Sequence, residues 1–182
     1  MLWPAHLSAV ECHRYWEWLT REVPWRQEPI KIFGRSVLQP RLTAWYGEAD
    51  HPYGYSGVRL TPAVWPATLL ELRSRLEPLA RVRFTGVLLN FYRDGDDSMG
   101  WHSDDEPELG PEPVVGSLSF GAARRFRLRL EKKIATEVTL GDGDFLLMRG
   151  ASQRFWQHAV PKEPKVRSPR INLTFRAVAP KV

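Results

Sequence analysis

Between Arg170 and Arg176 the chain alternates polar and apolar residues at every step, Arg-Ile-Asn-Leu-Thr-Phe-Arg. A period of two belongs to a strand, so Ile171, Leu173 and Phe175 share one face while Arg170, Asn172, Thr174 and Arg176 share the other. The apolar face needs a core to lie on. The polar face sets two guanidiniums in a row, and a guanidinium grips a carboxylate through paired, charge-assisted hydrogen bonds. The segment therefore calls for a sheet with one surface fit for a dicarboxylate, although an amphipathic strand with its arginines in water has the same pattern.

The chain from Arg83 onward continues in this manner. Short strands are predicted for Phe84 to Tyr92, Val114 to Phe120, Arg124 to Leu130, Thr136 to Leu140, Phe145 to Arg149, Phe155 to Val160 and Arg170 to Val178. So many short strands with close turn signals predict an antiparallel sandwich or barrel. Within them, Arg124, Arg125, Arg127 and Arg129 read as a solvated strand face, with Phe126, Leu128 and Leu130 turned inward.

The N-terminal part is different. A helix is predicted from Ser8 to about Arg21, capped by Ser8 with Glu11 at the capping-box position. Val10, Cys12, Tyr15, Trp16 and Leu19 form its apolar face, and Pro24 ends it. From Ile30 to Tyr46 come short alternating stretches, with a tight turn at Gly34-Arg35. The segment Gly47 to Gly57 is dense in turn formers and reads as a loop. A second helix is expected from about Pro62 to Ala80, with Val64, Leu69, Leu72 and Leu76 on its apolar face and Pro66 as an awkward interruption.

Composition narrows the chemistry. The 182 residues are one domain's worth, and one cysteine, Cys12, allows neither an internal disulfide nor a thiolate zinc cluster. No apolar run is long enough to span a membrane, and the N-terminus has no signal-peptide pattern, so a soluble intracellular protein is expected. A net charge of +5 alongside 8 Trp, 8 Phe and 5 Tyr suits a nucleic-acid partner. It also suits a mildly basic domain with tryptophans in its core.

The segment Trp101-His102-Ser103-Asp104-Asp105 carries the chemistry. In extended backbone His102 and Asp104 point to the same side, so both reach one metal ion. His158, on another predicted strand, is the best third ligand. Two histidines and one carboxylate leave three octahedral positions open, the arrangement of non-haem iron(II) oxygenases, though a hydrolytic zinc site uses the same donors. Asn90 and Tyr92 in Leu-Leu-Asn-Phe-Tyr repeat the two-residue spacing and add neutral donors near the same anion.

At this point the chain resembles a known family. The stretch NFYRDGDDSMGWHSDDEPELGPEPVVGSLSFGAARRF, followed in order by GDGDFLLMRG, QHAVP and RINLTFR, looks like the AlkB-type dioxygenases dependent on 2-oxoglutarate and iron(II). The likeness covers roughly residues 30 to 178. It implies a mainly β fold, with a double-stranded β-helix (jelly-roll) core over about 84–179 and helices and a nucleotide-recognition lid over about 1–83. It also implies His102, Asp104 and His158 as the catalytic iron ligands, and Asn90, Tyr92, Arg170, Asn172, Thr174 and Arg176 as contacts of 2-oxoglutarate, with O2 as the other cosubstrate.

By the same likeness the activity is oxidative dealkylation of N-alkylated bases in DNA: 2-oxoglutarate is converted to succinate and CO2, and a base flipped out of its stack loses its methyl group as formaldehyde. Phe33, Gly34 and Arg35 at the predicted turn, together with Tyr53, Gly54 and Tyr55, resemble the hairpin and Tyr-rich loop of the branch acting on double-stranded DNA. Asp105 matches a substrate-contacting acid there. The resemblance points to a monomer in the cytoplasm with access to the nucleoid, or in the nucleus if the source is eukaryotic. Two other readings stand beside it: an iron hydroxylase or demethylase acting on RNA, protein or a small molecule, and a nucleic-acid-binding sandwich without catalysis.

Overall fold

The computed structural model of the chain describes residues 1–32, 35–49, 53–55, 58–60 and 62–178. Strand β1 (Leu2–Trp3) precedes helix α1 (Ala9–Glu22), whose N-terminus carries both halves of the expected capping box. The Ser8 hydroxyl accepts from the Glu11 amide, and the Glu11 carboxylate accepts from the Ser8 amide. Cys12, Tyr15 and Leu19 are buried as predicted, but Val10 faces solvent at 81% exposure.

Strands β2 (Pro29–Ile32) and β3 (Arg35–Leu38) pair as a hairpin, and β4 (Leu42–Gly47) follows. The expected loop from Gly47 to Gly57 is corrected here. Strand β5 (Tyr53–Tyr55) pairs with β6 (Val58–Leu60), each only three residues long. A strand of that length has no room to display its period, and its turn-forming neighbours hide it.

Helix α2 (Ala67–Ala80) starts five residues later than predicted, with Pro66 as its N-cap. A residue before proline is driven from helical to extended backbone, so Trp65 cannot continue a helix begun at Pro62. Val64 consequently lies outside the helix and is exposed, not packed.

The remaining strands are β7 (Gly86–Tyr92), β8 (Met99–His102), β9 (Val115–Gly121), β10 (Arg124–Leu130), β11 (Lys133–Leu140) and β12 (Phe145–Met148). A single helical turn, α3 (Ser152–Phe155), leads into β13 (Trp156–Val160), and β14 (Arg170–Arg176) completes the set. They form a six-stranded antiparallel sheet, β1-β12-β9-β14-β7-β4, and a four-stranded one, β11-β10-β13-β8. The core is thus the expected jelly roll with two supporting helices.

Strand β14 lies inside the large sheet, paired with β7 on one side and β9 on the other. All seven of its residues are buried. Ile171, Leu173 and Phe175 join Leu89, Phe120 and Leu147 in the core beneath α1 and α2. The opposite face looks toward the small sheet across a second apolar cluster that unites Tyr92, Leu146 and Met148 with Phe126 and Val160. Close approach is enforced at Gly86, where an added Cβ would fall 2.3 Å from the Trp45 ring.

The arginine run on β10 also needs a correction. Arg124 shares its strand face with Phe126 and is 1% exposed. Its guanidinium donates to the carbonyls of Asp94, Asp97 and Pro161 and meets Glu163 at 3.2 Å. It is a buried clamp on two loops, which the period of two permits and the bare count of charges conceals. Leu130, expected inside, is 38% exposed at the strand end.

Candidate functional site

The site lies between the sheets and is assembled by register. Strand β13 pairs with β8 so that His158 stands opposite His102, and residues opposite one another across an antiparallel pair share a face. The two imidazole centroids are 4.2 Å apart. Asp104, two residues beyond His102, is 1% exposed and reaches the same spot. Ligand atoms of His102, Asp104 and His158 all lie within 4.8 Å of one another, the one such group of three among the described residues.

The hydrogen bonds settle which atoms are free for an ion. His102 Nδ1 lies 2.9 Å from the Gly100 carbonyl, which can only accept, so Nδ1 carries the proton and Nε2 keeps its lone pair. Asp104 Oδ1 accepts from Arg176 Nη2 at 2.6 Å and from Nε at 3.2 Å. Its Oδ2 is buried without a hydrogen-bond partner, 3.6 Å from His158 Nε2.

Burial pushes the Asp104 carboxyl up, but Arg176, His158 and His102 together outweigh it and hold the group down to about 2. Burial, with His102 beside it, drives His158 down to about 3, and burial lowers His102 as well. At neutral pH the set is therefore two neutral imidazoles and one carboxylate with an unused oxygen. That is the protonation state a divalent cation requires.

The polar face of β14 forms the other wall, and Asn90, Tyr92, Asn172, Thr174 and Arg176 line the same cavity as the triad. Asn172 donates to Ser117 Oγ at 2.8 Å and accepts from Thr174 Oγ1 at 3.0 Å. Arg170 is 2% exposed and its guanidinium carbon lies 5.4 Å from the Tyr92 ring centroid. Its Nη2 donates to Ser119 Oγ, while Nε and Nη1 are buried with no hydrogen-bond partner. A buried guanidinium with two unanswered N–H donors fits a carboxylate ligand. Arg176, expected among the 2-oxoglutarate contacts, lines the cavity and donates from Nε and Nη2 to Asp104.

Of the expected substrate residues, Asp105 is exposed beside Asp104. Arg35 begins β3, and Tyr53, Gly54 and Tyr55 form β5. Phe33 and Gly34 lie outside the described residues.

Some participants escaped the sequence reading. Arg41, 2% exposed, donates from Nε to Asn90 Oδ1 at 2.8 Å. The alternation Arg41, Thr43, Trp45 was a usable signal, because register sets Thr43 opposite Asn90. Ser117 and Ser119 alternate with Leu118 and Phe120 much as β14 does. Gln153, which accepts from the Asp104 amide, had no signal in the polar stretch before β13.

Comparison with known proteins follows the same line. Residues 1–176 match the sequence model of the 2OG-Fe(II) oxygenase superfamily. The chain is 45% identical to the Mus musculus alpha-ketoglutarate-dependent dioxygenase alkB homolog 3, over 98% of this chain and 66% of that protein. It is 38% identical to the Mus musculus DNA oxidative demethylase ALKBH2, over 83% of this chain and 67% of that protein. The chain thus spans about two thirds of the length of these relatives. The solved structure of OsALKBH1 shares the fold, with a TM-score of 0.71 at 18% identity and 97% of each chain covered.

Proposed function

The chain belongs to the 2OG-Fe(II) oxygenase superfamily, and on that footing we propose that it is an iron(II)- and 2-oxoglutarate-dependent dioxygenase that dealkylates N-alkylated bases in DNA. The observation that carries the reading is a pair of buried unmet demands, one in the cavity and one against Tyr92, which lines it. Asp104 Oδ2 lacks a partner where two imidazoles converge, and Arg170 has two unanswered donors beside Tyr92. The first suits a divalent cation and the second a carboxylate. The names of the relatives, a dioxygenase and a DNA oxidative demethylase, add the substrate class.

In this reading His102 Nε2, Asp104 Oδ2 and His158 Nε2 would hold an iron(II) ion, as a two-histidine, one-carboxylate set does. Arg170 takes the far carboxylate of 2-oxoglutarate, with Asn90, Tyr92, Asn172 and Thr174 supplying neutral polar contacts. Arg176 keeps Asp104 ionised and turned toward the imidazoles. Phe126, stacked on His158 with centroids 5.3 Å apart, and Met148 keep the inner wall apolar and exclude water. Iron and 2-oxoglutarate, when bound with O2, supply the oxidation of an N-alkyl group, with succinate, CO2 and formaldehyde leaving.

The substrate side of the proposal is a flipped base. Phe33, Gly34 and Arg35 would meet the gap left in a duplex, the rings of Tyr53 and Tyr55 on either side of Gly54 would stack on the extracted base, and Asp105 would face its positive charge. Residues 1–83 then serve as support and lid, and 84–179 as the catalytic core. Among the described residues no helix is long and apolar enough to cross a membrane. The protein works as a monomer on double-stranded DNA, in whichever compartment holds that DNA.

The test offers methylated single- and double-stranded oligonucleotides with iron(II), 2-oxoglutarate and ascorbate, and weighs the products. Loss of one methylene mass per lesion, matched by succinate formation, is the expected result. Succinate without any change in either oligonucleotide would turn the substrate toward RNA, protein or a small molecule.

A further inference from the structure

Asp104 has an unusual attachment for a residue so central. Strand β8 ends at His102, so no ladder of sheet hydrogen bonds reaches the Asp104 backbone. Its amide instead donates to the side-chain oxygen of Gln153, at 2.9 Å. A backbone N–H can only donate, which fixes the carboxamide with Oε1 toward Asp104. Gln153 is 1% exposed on α3, the turn that feeds β13 and therefore His158. Its Nε2 has two long contacts, Met148 Sδ at 3.6 Å and Ser152 Oγ at 3.4 Å. The bond to Asp104 is the short one.

A second tie lies next to it. Ser103 Oγ donates to the Trp156 carbonyl at 3.0 Å. Two successive residues of the segment that follows His102 thus hang from the segment that leads to His158. Gln153 does not line the cavity and touches none of the three ligand atoms. Its short route to the site is the Asp104 backbone, and its longer one is Met148, which lines the cavity.

We propose that Gln153 is a positioning residue for the metal site: it fixes where Asp104 presents Oδ2 and so sets the affinity for the divalent ion. The inference rests on the reading of His102, Asp104 and His158 as ligands. Outer partners of metal ligands are typically worth about 10- to 100-fold in metal affinity. Gln153→Leu keeps the volume and loses the acceptor. Gln153→Glu keeps an acceptor oxygen in the same place. Gln153→Asn falls one methylene short of the amide.

The experiment is anaerobic titration of the metal-free protein with cobalt(II), followed by its visible absorption, which reports both affinity and ligand geometry. Asp104→Ala is the control, and thermal unfolding of each metal-free variant accompanies the titration. Gln153→Leu and Gln153→Asn are expected to bind about 10-fold or more weakly, with altered bands, while Gln153→Glu recovers most of the affinity. Wild-type affinity and spectrum in Gln153→Leu, or in Gln153→Asn should the leucine variant not fold, would overturn the proposal. So would a Gln153→Glu protein as weak as the others. Failure of the wild-type chain to take cobalt, or binding undiminished in Asp104→Ala, would instead strike the ligand assignment itself.

Discussion

Asp104 is held by opposing forces, and the balance decides what its replacement does. Burial disfavours its charge, and the Arg176 fork at 2.6 Å and 3.2 Å is the largest influence keeping it. Removing one partner of a buried ion pair typically costs about 3–5 kcal/mol, because the other charge is left unpaired. Asp104→Ala is therefore expected to abolish turnover and also to lower the melting temperature of the metal-free protein, whereas Asp105→Ala, at an exposed site, leaves melting unchanged. Arg176→Lys keeps a charge but loses the fork, so it should raise the 2-oxoglutarate requirement and weaken iron binding together. Unchanged values for both in steady-state and titration measurements would show that the fork is dispensable. The triad could be read in the sequence because His102 and Asp104 obey the period of a strand. Arg41 and Gln153 meet their partners only across the fold: the alternation Arg41, Thr43, Trp45 hints at the first meeting, and no local spacing announces the second.

At the scale of elements, capping chemistry proved the most legible signal. The Ser8–Glu11 box placed the start of α1 within a residue, and it links that helix to pH. Glu11 is lowered from 4.5 to about 2, first by its bond to Arg75 and then by those to Ser8. A depressed carboxyl contributes stability that is complete above about pH 4.5 and disappears as pH falls through about 2. Melting curves of wild type and Glu11→Gln should therefore differ at neutral pH and converge in acid. A constant gap across that window would mean the carboxylate charge is irrelevant to the helix. The start of α2 was less legible because Pro62 and Pro66 both look like helix openers, and only the constraint on Trp65 separates them. The β5–β6 hairpin was invisible because three residues cannot establish a period.

For the molecule as a whole, an antiparallel sandwich or barrel followed from counting short strands and the jelly roll from the family resemblance, but the order of strands in each sheet followed from neither count nor spacing, since pairing is decided by the closed core and not by neighbours in sequence. The proposed division between a catalytic core and a substrate-facing lid yields a prediction about duplexes. Opening a paired stack costs a few kcal/mol, and an aromatic wedge recovers ~1–3 kcal/mol of it. Phe33→Ala should lower activity on methylated duplex about tenfold or more, since ~1.4 kcal/mol is a factor of ten, and lower activity on the matching single strand much less. Equal losses on both substrates, alongside a lower melting temperature, would reduce Phe33 to a packing residue.

The place of β14 between β7 and β9 has a consequence for how the protein comes into being. Among the described strands it comes last in the sequence, yet it lies in the middle of the large sheet. Until it arrives, β4–β7 and β1–β12–β9 are separate ribbons, each with an open edge, and pairings this distant in sequence are slow to form. Arg170, Asn172, Thr174 and Arg176 all arrive with it. A nascent chain short of this segment lacks Arg176, and so the clamp on Asp104. The large sheet therefore closes only with the strand that also carries the clamp on Asp104, so a single late event completes both.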